Sequence, residues 1–203
     1  DQNQKILNQR EKLIEVKNYL NLHKTLKKEH QKFYENLSNE YLVVTNNKHK
    51  VDVIDELLIY VDIIPNSIVI AQAANESGWG SSRFSQDYNA LFGQYTYDVE
   101  KGVIPLNRDE GKKHLIKYFS SIDESVESYF DNINTHYAYS EFRNFRTQLR
   151  NQNNLNDPIY TSLLVSKLKV YADANDYVDI INSIIKVNQL TQFDNNKYLK
   201  TQL

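Results

Sequence analysis

The sequence predicts a mainly α fold of the α+β kind, with one small β-lobe and a helical extension at the N-terminus. Three observations carry this expectation. Apolar residues recur at helical spacing along most of the 203 residues. One stretch, about 95–119, changes to β-branched and aromatic residues broken by Gly102, Pro105 and Gly111. Helix boundaries are marked by Pro65, by Gly78 and Gly80, and by Asp157-Pro158.

From residue 2 to about 40, Ile6, Leu7, Leu13, Ile14, Leu20 and Leu26 among charged and amide residues predict a long amphipathic helix or a helical pair. The apolar spacing does not hold a heptad, so a coiled coil is not expected. Residues 1–50 read as an extension and 51–203 as the main domain. A second helical pattern runs from Val51 to Ile64 and meets Pro65, which removes a backbone donor.

The next segment, Asn66 to Ser77, is the most informative. Ile68, Val69, Ile70, Ala71, Ala73 and Ala74 cover nearly its whole circumference, which predicts a buried helix. Gln72, Asn75 and Glu76 share one stripe, which Trp79 would extend if the helix continued. Gly78 and Gly80 are expected to stop it and let the chain turn around Trp79. Beyond, the cluster Asn107 to Gly111 predicts a hairpin turn with Glu110 near its tip. Ser121 and Glu124 form a capping-box pattern for a helix whose core face is Ile122, Val126, Tyr129, Phe130 and Ile133. Asp157-Pro158 opens a helix carrying Tyr160, Leu163, Leu164 and Leu168, and Ile180, Ile181, Ile184 and Ile185 mark the last one.

Composition narrows the function. With 24 basic and 26 acidic side chains there is no broad attraction to nucleic acid or membrane, and no run approaches the ~20 apolar residues of a span. The chain has no cysteine, which excludes disulfides and thiol chemistry. The histidines (His23, His30, His49, His114, His136) lack the paired spacing of a zinc site, and no phosphate loop or Gly-x-Ser-x-Gly elbow is present. Neither metal nor cofactor is expected. The 15 tyrosines suit sugar stacking, although ordinary core and surface usage explains such numbers as well. The chain opens on Asp1, and the expectation is that a preceding segment, a secretion signal being one candidate, has been removed.

A carboxyl at the end of an apolar helix beside a tryptophan is placed to have its pKa raised, because desolvation disfavours the charged form. Such an acid can protonate a departing oxygen, as in lysozyme. A glutamate at a helix end is also an ordinary solvated or capping residue, and these residues alone leave both readings open.

The runs Asp62-Ile63-Ile64-Pro65, Ala71-Gln72-Ala73-Ala74-Asn75-Glu76-Ser77-Gly78-Trp79-Gly80-Ser81-Ser82-Arg83-Phe84 and Asn89-Ala90-Leu91-Phe92-Gly93-Gln94 resemble the signature of glycoside hydrolase family 73, in its bacterial Bax-like group. Further likeness lies in Phe119-Ser120-Ser121, in Asn132 to Tyr139 with Phe142-Arg143, and in Tyr171 to Tyr177, so that it covers about residues 50 to 190. The resemblance implies a lysozyme-like helical domain with a small β-lobe. It implies an endo-β-N-acetylglucosaminidase acting on the glycan strand of peptidoglycan, an autolysin-type enzyme working outside the cytoplasm as a monomer. Catalysis would fall to Glu76 as acid, Glu110 as second carboxylate with Glu100 as the alternative, and Tyr177. Sugar contacts would come from Gln72, Trp79, Asn89, Phe92, Gly93, Gln94, Tyr95 and Tyr139. Asn175 stands where a glycine is expected, and Tyr95 where relatives often carry Trp. Arg83, Arg143 and Arg146 either face muramic acid or stem-peptide carboxylates or form structural ion pairs. A lytic transglycosylase or muramidase, and an inactive peptidoglycan-binding scaffold, are the competing readings.

Overall fold

A computed structural model describes residues 2–105, 111, 113–172 and 174–194. Among these, nine α-helices and three short strands follow one another: α1 (Gln2–His23), α2 (Lys28–Glu40), α3 (Lys50–Tyr60), α4 (Asn66–Ser77), α5 (Arg83–Tyr88), β1 (Tyr95–Thr96), β2 (Gly102–Val103), β3 (Leu115–Lys117), α6 (Ile122–Thr135), α7 (Ser140–Asn151), α8 (Pro158–Ser166) and α9 (Tyr177–Val187). They form two compact units, Asp1–Ile64 with Asp131–Leu155 and Pro65–Phe130 with Asn156–Leu203. The expected mainly α fold with a small β-lobe is present. No helix among the described residues is long and apolar enough to cross a membrane.

In the first unit, the N-terminal stretch is a helical pair. One stripe of α1 buries Ile6, Leu13 and Leu20, seven residues apart, while Ile14 is exposed. Between them Asn3, Arg10 and Lys17 occupy the same stripe. Asn3 exchanges two hydrogen bonds with the Ile64 backbone at 2.8 and 3.1 Å, and Lys17 pairs with Asp55.

The apolar pattern runs on to Ile64, yet α3 stops at Tyr60. A helix end leaves carbonyls without partners. Here two guanidiniums take them: Arg10 Nη1 donates to Leu58 and Val61 at 2.5 and 2.9 Å, and Arg146 Nη2 to Ile59 and Tyr60 at 2.9 and 3.3 Å. Arg146 Nη1 also reaches the Asp62 and Ile63 carbonyls at 3.1 Å each. These arginines are balanced by Asp62, whose carboxylate is fully buried and receives Arg150, with Arg10 at 3.7 Å. Burial alone would push the Asp62 carboxyl up, but Arg150, Arg146 and Arg10 outweigh it and hold it below the usual range. Desolvation brings Arg146 down to about 10, opposed by Asp62, so it stays a cation at neutral pH. Arg143 is buried as well and donates to the Ile133 and His136 carbonyls at 2.9 and 2.8 Å. Arg143 and Arg146 are thus interior residues, but among the described residues they serve backbone carbonyls rather than the ion pairs or the ligand carboxylates that the sequence suggested. Both lie on the inner face of α7, beside Phe142 and Leu149.

In the second unit, α4 packs against α9 and the turn at Leu190–Phe193. Asp194 caps its start, accepting from the Ser67 amide and hydroxyl at 2.8 and 2.7 Å. The expectation of a helix buried all round is corrected, because Ile70 is 40% exposed and the buried set is Ser67, Ile68, Ala71, Gln72 and Ser77. The β-lobe is a three-stranded antiparallel sheet ordered β1-β3-β2, larger than the hairpin the sequence implies. Tyr95 pairs with Ile116 and Gly102 with Lys117. A Cβ on Gly102 would meet the Leu115 Cβ at 2.5 Å, so only glycine fits there. The α6 box is displaced by one residue: Ser121 Oγ accepts from the Glu124 amide at 3.2 Å, while Glu124 reaches back to Ser120. Asp157 caps α8 through the Ile159 amide at 3.0 Å, with Pro158 following as expected. Ile122, assigned to the core face of α6, is exposed instead, and so are Leu163 of α8 and Ile180 of α9.

Removing the Asp62 charge strands buried cations, which costs about 3–5 kcal/mol. Asp62→Asn is therefore expected to lower the urea midpoint strongly at pH 7. Because the native Asp62 pKa is depressed, its contribution is full above the unfolded value near pH ~3.9 and fades as pH falls through the lower native value. The difference between parent and variant should narrow in acid; a constant gap would show that charge is not the cause.

Candidate active site

Glu76 lies half-buried on the last turn of α4. The helix ends as its glycine predicts: Gly78 is left-handed at φ +58°, and the Trp79 amide returns to the Ala74 carbonyl at 2.7 Å. Trp79 itself has φ +59°, an uncommon value for a residue with a side chain, and its indole is 65% exposed. The Gly80 amide donates to Ser77 Oγ at 2.7 Å, and the Ser82 amide to the Ser77 carbonyl at 3.0 Å, so a buried serine pins the arch.

Around the carboxyl, Asn75 Nδ2 donates to Oε1 at 3.1 Å, and the Tyr177 hydroxyl acts on it as well, favouring its charged form. Burial lifts the Glu76 carboxyl above its ordinary range, and the bonds from Asn75 and Tyr177 oppose that rise without cancelling it. Gly93 completes the surround. Its backbone is left-handed at φ +58°, and a Cβ there would sit 3.7 Å from Oε2, so a substitution would be strained while adding bulk beside the acid.

Gln72 corrects its assignment as a sugar contact. It is fully buried, accepting from the Tyr129 hydroxyl and donating to the Tyr177 oxygen at 2.6 Å. Phe92 is likewise buried, stacked on Tyr129 with centroids 4.1 Å apart, and its carbonyl accepts from Tyr171 at 2.9 Å. Asn89 ends α5 in the left-handed region, and its Nδ2 ties the Phe119 carbonyl of the β-lobe at 3.1 Å. Gln94 Nε2 donates to the Ser128 carbonyl at 3.1 Å, while its Oε1 is buried without a protein partner.

Tyr95, by contrast, is an open platform on β1, 65% exposed with its ring on His114 at 4.3 Å. Tyr139 belongs to the first unit, buried near the ring of His136. Glu110 lies outside the described residues. Glu100 is exposed after β1; its carbonyl accepts from the Tyr118 hydroxyl at 2.6 Å. Arg83 is exposed, stacked over Phe84 and Tyr88. Sequence reading missed Tyr129 and Tyr171 as site neighbours. The available signal was a hydroxyl on an otherwise apolar helix face, since a buried phenol needs a partner.

Residues 51–190 match the Glucosaminidase family, described as mannosyl-glycoprotein endo-beta-N-acetylglucosaminidase. The chain is 41% identical over 116 residues to Protein bax of Escherichia coli (strain K12), a match covering 57% of this chain and 39% of that protein. No solved structure matches significantly.

The strain at Trp79 is testable. A left-handed backbone costs a side-chain-bearing residue about 1–2 kcal/mol. Trp79→Gly is therefore expected to keep or raise the urea midpoint, whereas Trp79→Val lowers it. A large loss in the glycine variant would mean that indole packing outweighs backbone strain.

Proposed function

Because the chain belongs to the glucosaminidase family, we propose that it is an endo-β-N-acetylglucosaminidase that hydrolyses β-1,4 bonds in the glycan strand of peptidoglycan, with Glu76 as the general acid. The observation that carries this reading is the half-buried Glu76 carboxyl, held by Asn75 and Tyr177 with its proton affinity raised. A protonated carboxyl gives its proton to the glycosidic oxygen as the bond to the anomeric carbon breaks; the proton ends on the leaving hydroxyl and Glu76 becomes a carboxylate.

Glu110, with Glu100 as the alternative, is our candidate for the second carboxylate that assists water. The separation from Glu76 would set the stereochemistry, about 6.5–9.5 Å for inversion and about 5–5.5 Å for retention. Trp79 and Tyr95 offer exposed faces on which sugar rings stack. We assign residues 51–203 to the hydrolase domain and 1–50 to an extension of it, and place the enzyme, as a monomer, outside the cytoplasm with its substrate.

Glu76→Gln tests the acid. Clearing of isolated peptidoglycan should fall by about a hundredfold to ten-thousandfold. Its Tm at neutral pH should be unchanged or higher, because a carboxyl with a raised native pKa loses stability as pH rises and an amide does not. Retained clearing would place the acid elsewhere. In the parent, activity should fall as pH rises through the elevated Glu76 pKa. Anhydromuramic ends among the products would make the reaction transglycosylation rather than hydrolysis.

A further inference from the structure

We infer that Gln72 and Tyr129 are positioning residues for the acid, linked to it by a directional chain of hydrogen bonds that turns the Tyr177 hydroxyl proton toward Glu76. This rests on the reading of Glu76 as general acid and adds two buried residues that act on it through Tyr177. The chain begins at Tyr129, fully buried on α6 between the stacked ring of Phe92 at 4.1 Å and the edge of Phe130 at 5.8 Å. Its hydroxyl donates to Gln72 Oε1. An amide has one acceptor end and one donor end. With the acceptor end engaged by Tyr129, Nε2 donates to the Tyr177 oxygen at 2.6 Å. A phenol carries a single proton. Tyr177, receiving from Gln72, keeps its own proton to donate, and the Glu76 carboxyl, whose proton affinity Tyr177 lowers, is the acceptor we assign to it.

Tyr177 cannot easily turn away. It is 2% exposed and lies parallel to Tyr171, with ring centroids 5.9 Å apart. On the proton affinity of Glu76, Asn75 acts from its own helix and Tyr177 from α9; no charged side chain among the described residues shifts it. A buried glutamine is costly to desolvate, and an apolar side chain would fill the same space at less expense. What the amide adds is direction.

The consequence is kinetic. While Glu76 holds its proton, the bond from Tyr177 is one between neutral groups. As the proton passes to the glycosidic oxygen and the carboxylate forms, the same bond becomes charge-assisted and about twice as strong. An interaction that strengthens toward the transition state raises kcat and leaves KM nearly unchanged.

The test uses the full chain on isolated peptidoglycan, comparing Tyr177→Phe, Gln72→Met, Tyr129→Phe and the double variant Gln72→Met with Tyr177→Phe. Gln72→Met should lower kcat by about tenfold, within the range of a lost catalytic hydrogen bond, with KM changed less than about twofold. The alkaline limb of the pH profile should move to higher pH in the same direction as in Tyr177→Phe, because in both the Glu76 carboxylate loses a donor. The double variant should be no worse than Tyr177→Phe alone, since Gln72 acts only through that hydroxyl. Losses that multiply, or an alkaline limb that stays in place, would overturn the inference and leave Gln72 as a packing residue. If Gln72→Met does not fold, Tyr129→Phe decides, for it keeps the stacked ring and removes one hydroxyl; a smaller shift of the same limb supports the chain and no shift refutes it. Failure of the acid assignment itself would be visible separately, as clearing retained in Glu76→Gln.

Discussion

The Gln72 amide is sealed from water inside the second unit, and an amide so placed must find both a donor and an acceptor within the protein. That constraint organises the site. It draws Tyr129 from α6 and Tyr177 from α9 onto one face of α4, one turn before the acid. Phe92 then packs on Tyr129 and Tyr171 on Tyr177, so an aromatic wall grows out of the need to satisfy a single side chain. Glu76 stands at the edge of this wall. Enough surface is withdrawn to raise its proton affinity, and enough hydrogen bonding remains to hold its orientation.

The same rule acts in the first unit with charges in place of an amide. The carbonyls where α3 ends and the following residues run to Pro65 are met by Arg10 and Arg146, and these cations are admitted to the interior because Asp62 is buried among them. Arg10 and Asn3 come from the N-terminal helix, upstream of the residues that match the family. The extension therefore takes part in holding the backbone just ahead of α4, and its polar residues are chosen by those carbonyls rather than by solvent.

Around the acid, strain and exposure are tolerated where packing would not require them. Trp79 is held left-handed by hydrogen bonds from its neighbours to Ser77, and its indole stands in solvent. Tyr95 is equally exposed on β1. Such costs tend to gather at functional sites, where the surrounding structure over-determines the backbone.

By itself, the sequence determined the elements and their punctuation: the helix from Asn66, its stop at Gly78, the cap at Asp157-Pro158, the box at Ser121 and the change to β-structure near Tyr95. These follow from contacts between near neighbours in the chain, which periodicity and capping residues record directly. It also placed a carboxyl at the end of an apolar helix. Only the tertiary structure decided that Gln72 turns inward while Ile70 turns out, that Arg143 and Arg146 are interior residues, and that β1 completes a three-stranded sheet. Each of those outcomes depends on a partner 10 to 105 positions away, and a helix face reads as buried or open only once the group that covers it is known.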